Sequence, residues 1–220
     1  MKKLFTLLFL LMTIGVFGQV KVETHSKLKI NHGDLTFILD EDTNSFVSIH
    51  NVKYSDFKKI DGVRDDRWHS ETYKRIYSKE PYVHSGYDLG HLTPSNITSY
   101  NDSLNYHSFS FFNQAPQVAG FNRGKWKRLE GSVEDSIKKY KCDVQIITGV
   151  LYDNSNKDYL SKSRIKIPMS YYKIMYFKIK KKEYLYVWIG SNNNGEVMLI
   201  DLKKLNEIAT INKNNIKFVK

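Results

Sequence analysis

Between positions 88 and 130, four polar side chains stand where a segment built only for packing would carry apolar ones. They are His91 after Asp88-Leu89-Gly90, Asn113 after Phe111-Phe112, Asn122, and Glu130. The set holds no strong nucleophile, so it suits chemistry in which water attacks. An imidazole with the ordinary pKa of roughly 6.5 can take a proton from water at neutral pH. Metal-assisted hydrolysis of a phosphodiester is the reaction this combination fits. The chain has no G-x-S-x-G, no H-E-x-x-H, no phosphate-cradling G-x-x-x-x-G-K-[ST] and one cysteine, Cys142, which argues against a serine hydrolase, a zinc site and a disulfide framework.

Several elements must position these residues. Residues 35–40 (LTFILD) and 45–50 (SFVSIH) predict a hairpin across an acidic turn at 41–44. Residues 58–75 carry too much charge to be buried and read as a solvated loop. Within it Arg67 stands beside Trp68, an aromatic anchor that can fix a guanidinium for bidentate bonding to phosphate. Gly86 and Gly90 bracket Tyr87-Asp88-Leu89, which implies a close backbone approach; Gly90 leaves one face of His91 uncovered, and Asp88 is an acceptor that could orient it.

A polar stretch with its tip at Asn101-Asp102-Ser103 leads to a strand over 108–113, closed by Pro116, with Asn113 at the strand end. Trp126, Leu129, Val133 and Ile137 recur at spacings of three, four and four, which predicts a helix over 122–140. Asn122 is its expected N-cap, and Glu130 lies about 80° around the axis from it. Residues 142–151 predict a central strand, with further strands at 165–169, 171–179 and 184–189 and a helix at 201–210. Lys178, Lys180, Lys181 and Lys182 cluster at a hairpin tip that either blunts an edge or attracts a phosphate backbone, with edge-blunting the favoured reading. His25, His32 and His50 show no metal-ligand spacing and read as surface or edge residues. The fold expected is α+β, a mixed or antiparallel central sheet flanked by helices.

Met1-Lys2-Lys3 followed by an apolar run to Phe17, with Val16 and Gly18 at small-residue positions, predicts a cleavable signal peptide over 1–18. The run is too short for a membrane span. The remaining 19–220 is expected to be a single domain, secreted or periplasmic, with no membrane span once the leader is removed. Lys and Arg number 34 against 23 Asp and Glu, a formal charge of +11, or two units less without Lys2 and Lys3. A chain this basic suits a polyanion such as nucleic acid.

Three motif blocks carry a resemblance. Asp88-Leu89-Gly90-His91, Phe112-Asn113-Gln114-Ala115-Pro116-Gln117 and the run from Asn122-Arg123-Gly124 through Trp126 to Leu129-Glu130 stand in the order and spacing of the DNA/RNA non-specific endonuclease family. The blocks cover about the middle fifth of the chain. The resemblance implies a ββα-metal site in which His91 is the general base and Asn122 is the sole direct protein ligand of Mg2+, with Mn2+ as a substitute. It further implies that Glu130 acts through one of the ion's waters, Asn113 shapes the site, and Arg67 steadies the scissile phosphate, with Asp88 and Arg123 on the substrate side. DNA and RNA would be the substrates and 5′-phosphates the products. Leu89 departs from the family's usual arginine, so either Arg123, Arg64 or a lysine compensates, or turnover and substrate preference differ. The alternative is a nucleic-acid-binding protein that keeps the fold with weakened or lost catalysis.

Overall fold

A computed structural model describes residues 19–24, 28–40, 45–59, 64–71, 78–153, 155, 158–160, 163, 165–193 and 195–220. The predicted leader, His25, the acidic turn at 41–44 and parts of the charged loop lie outside them.

Among the described residues eleven strands run in chain order as β1 (Lys21–Thr24), β2 (Leu28–His32), β3 (Leu35–Asp40), β4 (Ser45–Val52), β5 (Tyr87–His91), β6 (Gln114–Val118), β7 (Val144–Leu151), β8 (Ser170–Ile179), β9 (Lys182–Ser191), β10 (Val197–Ile200) and β11 (Ile216–Val219). The helices are α1 (Tyr54–Phe57), α2 (Asp102–Ser108), α3 (Ala119–Phe121), α4 (Lys127–Tyr140) and α5 (Leu202–Ile211). Seven strands form one antiparallel sheet in the order β10-β9-β8-β7-β4-β3-β2. β5 and β6 form a separate antiparallel ribbon, and β1 pairs with β11.

The hydrophobic pattern explains the layering. Every residue of β7 is buried, as a strand covered on both faces requires. Along β8 successive side chains go to opposite faces: Tyr171, Met175 and Phe177 enter one core with Trp126, while Tyr172 and Ile174 enter a second with Leu205 of α5 and Phe218 of β11. The β5–β6 ribbon and α4 therefore lie over the first face, and α5 with the terminal strands over the second. The α+β architecture expected from the sequence is the one found.

Local chemistry overrides three expectations. Residues 108–113 do not form a strand, because Asn101 accepts from Leu104 N to cap α2, and Ser110 Oγ accepts from Phe112 N to hold a 3₁₀ turn at Phe111–Asn113. The strand starts later, at Gln114, and runs through Pro116, which a two-stranded ribbon with open edges tolerates. Asn122 is not an N-cap: α3 already precedes it, and it opens a π-helical turn, Asn122–Trp126, kinked at Gly124 before α4 begins. The angular estimate for Glu130, which assumes an unbroken helix, therefore does not apply. Residues 165–169 hold only an isolated bridge, Tyr159 to Lys166.

Candidate active site

The end of β5 presents His91. Its ring packs 4.7 Å from Trp68 and meets Phe109 edge-on at 4.9 Å. Nε2 is buried and has no hydrogen-bond partner among the described residues. Burial pushes the imidazole pKa down to about 3, with the Arg64 guanidinium pushing the same way. The ring is thus neutral at physiological pH with an uncommitted nitrogen. Gly90 does not leave His91 open, as the sequence suggests; its missing side chain makes room for Gln117 across the ribbon. A Cβ there would lie 2.2 Å from Gln117 Oε1 and 2.6 Å from Gln117 Cβ.

Asn122 faces the same cleft, whose volume is ≈ 630 Å³ and whose walls include Arg64, Trp68, Asp88, Leu89, His91 and Lys127. Asn122 Nδ2 donates to Asp88 Oδ2 at 2.9 Å, which commits the amide nitrogen and leaves Oδ1 as the atom it can offer a cation. Asp88 also receives Arg123 Nε at 2.8 Å and Nη2 at 2.6 Å. Burial acts to raise the Asp88 pKa, but the bonds from Arg123 and Asn122 outweigh it and leave the carboxyl below its usual range. Asp88 therefore orients Asn122 rather than His91.

Glu130 also lines the cleft, and its Oε1 is buried without a hydrogen-bond partner among the described residues. The Asn122 amide oxygen and the Glu130 carboxylate, both on the cleft wall, make a donor set that fits a hard divalent cation which keeps most of its waters. Burial raises the Glu130 pKa against the pull of Lys173, whose Nζ is 3.9 Å away.

Lys173 is 1% exposed and sits beneath the cleft. Ser48, Thr148 and Lys173 form one cross-strand row on the sheet face under the ribbon. Lys173 Nζ donates to Thr148 Oγ1 at 2.8 Å and to Leu92 O at 3.2 Å, and Ser48 Oγ bonds Thr93 Oγ1 at 2.6 Å. This polar row fixes residues 92 and 93, immediately after His91.

A sequence profile described as DNA/RNA non-specific endonuclease matches residues 17–218. The chain belongs to the DNA/RNA non-specific endonuclease family. A nuclease of Syncephalastrum racemosum is 40% identical over 72 residues, covering 32% of this chain and 22% of that protein. Nuclease C1 of Cunninghamella echinulata var. echinulata is 28% identical over 151 residues, 60% of each. The chain thus spans less than two thirds of the length of these curated relatives. A solved structure described as the EndoG/EndoGI complex superposes with a TM-score of 0.68 at 21% identity, covering 83% of both chains, which extends the likeness to the fold.

Of the residues singled out by the endonuclease motifs, His91, Asn122, Glu130, Asp88 and Arg123 meet at one cleft. Asn113 does not face it. It is fully buried: Oδ1 accepts from Thr93 N, and Nδ2 donates to the carbonyls of Thr93 and Ser108, so it braces the exit of β5. Arg67 also misses the cleft. Its side chain is 80% exposed and held bidentate by Asp65. Arg64 lines the cleft instead, with Nε paired to Asp66 Oδ1 at 2.6 Å, Nη1 bonded to Ser95 Oγ at 3.0 Å and its guanidinium 4.9 Å over Phe109. His50 is not a surface residue but fully buried, with Nε2 3.1 Å from Tyr100 OH. Lys173 escapes a motif reading; its one signal is a lysine inside the apolar run of β8.

Proposed function

We infer that the protein is an exported, divalent-metal-dependent endonuclease that hydrolyses phosphodiester bonds of DNA and RNA and leaves 5′-phosphates. The observation that carries this reading is the neutral His91, whose orphaned Nε2 shares a cleft with the uncommitted oxygens of Asn122 and Glu130. His91 Nε2 accepts the proton of the attacking water. Asn122 Oδ1 holds Mg2+ or Mn2+, oriented by Asp88, and Glu130 accepts a hydrogen bond from water in the same cleft. When bound, the ion supplies positive charge against the phosphate and the leaving oxygen. Arg64 takes the phosphate-steadying role assigned to Arg67, and it also offers a cation where Leu89 cannot.

The leader at 1–18, the single catalytic domain over 19–220, and a secreted or periplasmic location belong to the same proposal, supported by the sequence pattern alone. Among the described residues no helix is long and apolar enough to cross a membrane.

Plasmid DNA and RNA incubated with the purified protein and Mg2+ test the reading. Nicking and fragmentation of both, abolished by EDTA, are expected. Intact nucleic acid alongside EDTA-insensitive, salt-sensitive binding would instead favour the non-catalytic alternative, which Leu89 on the cleft wall motivates.

A further inference from the structure

A second cluster of ligand-type side chains lies outside the cleft. His32 ends β2, an edge strand of the large sheet; His107 sits in the last turn of α2; Glu71 follows Trp68 and His69 in an extended segment. That segment is pinned to the 3₁₀ turn by His69 N donating to Phe109 O and Phe111 N donating to His69 O. One imidazole or carboxylate atom from each of His32, Glu71 and His107 falls within 4.8 Å of the others.

The spacing is that of a coordination shell. Glu71 Oε1 is 3.2 Å from His32 Nε2, 3.5 Å from His107 Nδ1 and 3.9 Å from His69 Nε2. Ligands at 2.0–2.1 Å around a tetrahedral ion are separated by about 3.3 Å. Three imidazole nitrogens thus converge on one carboxylate oxygen, more than that oxygen needs for hydrogen bonding. Two of them, His69 Nε2 and His107 Nδ1, are buried with no hydrogen-bond partner among the described residues.

The hydrogen bonding of His69 points the same way. His69 Nδ1 lies 3.3 Å from the Arg67 carbonyl oxygen, which can only accept, so Nδ1 carries the proton and a neutral ring keeps its lone pair on Nε2. Nε2 is then the ring nitrogen turned toward Glu71, 3.9 Å from Oε1. A backbone carbonyl fixing the far nitrogen is also the usual support for a metal-bound histidine.

We propose that His32, Glu71 and His107 form a zinc site that ties the segment carrying Arg64 and Trp68 to β2 and α2. Imidazole with carboxylate selects a borderline ion such as Zn2+ over Mg2+, which prefers all-oxygen shells. The side chains of Glu71, His32 and His107 are 11%, 14% and 21% exposed, so an ion can enter from solvent. Trp68, three residues before Glu71, packs on His91. The site thus stiffens one wall of the cleft without touching substrate.

The test uses the full purified chain, stripped with EDTA and dialysed against Zn2+, with bound metal and thermal midpoint as readouts rather than nuclease activity. Wild type and Asn122→Ala should each retain about one Zn2+ per chain and melt at higher temperature with Zn2+ than without, as a ligand of the native state requires. His107→Ala and Glu71→Gln should lose both the ion and the thermal shift. Co2+ in place of Zn2+ should give the visible absorption of a tetrahedral site in wild type and not in these variants. Should His107→Ala fail to fold without metal, His32→Gln at the sheet edge gives the same comparison. Absence of bound Zn2+ in wild type would overturn the site, as would Zn2+ retained undiminished by Glu71→Gln and by whichever histidine variant folds. Zn2+ lost with Asn122→Ala and kept in the cluster variants would also overturn it.

Discussion

At the residue scale, burial has opposite consequences for acid and base groups, and both can be measured. With a pKa near 3, His91 stays an unprotonated base well below pH 6, whereas an ordinary imidazole would be about 97% protonated at pH 5. The acid limb of kcat/KM should therefore lie below pH 5; a limb centred near 6.5 would show that the His91 environment is more polar than its packing against Trp68 and Phe109 implies. His91→Ala should cost roughly 10²- to 10⁴-fold in rate while the chain still folds, the usual range for a lost general base. His50 has the same depression, to about 3, for burial and for its proximity to Lys173. The folded state binds fewer protons than the unfolded chain, so the stability is present above about pH 6.5 and lost as pH falls toward 3. Between pH 7 and pH 5 this imidazole should cost about 2 kcal/mol. Urea midpoints of wild type and His50→Gln at the two pH values measure it; an unchanged pH difference in the variant would refute the assignment.

At the element scale, the site depends on a ribbon and a kinked helix laid over a polar row of the sheet. Lys173→Met would remove a buried cation and leave Glu130 uncompensated, an expected loss of about 3–5 kcal/mol together with activity. Adding Glu130→Gln should restore much of the stability and none of the turnover, which separates the structural from the chemical role; no recovery in chemical denaturation would argue against the pairing. Gly90→Ala should destabilise by about 1–3 kcal/mol, because Gln117 Cβ cannot rotate out of the way. Gln117→Gly should recover part of that loss, whereas Gln117→Ala, which keeps the Cβ, should not. The central strand, α4's buried stripe and the convergence of His91, Asn122 and Glu130 were legible in the sequence because period, apolar runs and motif order are local signals. The strand expected at 108–113 failed because capping by Asn101 and Ser110 outweighed aromatic content. Trp68 adjoins Arg67 in sequence, but Trp68 turns toward His91 while Asp65 draws Arg67 away. Lys173, Thr148 and Ser48 come from strands far apart in sequence, so only the sheet register brings them together. The histidines at 32, 69 and 107 are equally separated, and no spacing rule links them.

At the scale of the whole molecule, a formal charge of +11 gives a general attraction for nucleic acid, but the cleft itself is mixed. Arg64, Arg123 and Lys127 line it together with Asp88, Glu130 and Glu134, and Arg123 is already paired with Asp88. A nucleic-acid strand therefore needs particular cations rather than the average field to enter productively, and these can be told apart by salt dependence. Removing one cation that neutralises a phosphate should lower the slope of log affinity against log salt by about 0.9. With an inactive His91→Ala background and a short DNA duplex, fluorescence anisotropy across salt should show that slope drop for Arg64→Ala. Arg67→Ala should leave it unchanged, since that guanidinium is held by Asp65 outside the cleft. Replacing Lys180, Lys181 and Lys182 by serine should change the slope less than Arg64→Ala does, because the β8–β9 tip lies five or more residues along the sheet from Lys173 beneath the site. A larger slope change from the hairpin than from Arg64 would mean that nucleic acid runs over the sheet edge, and that the cleft binds only the bond being cut.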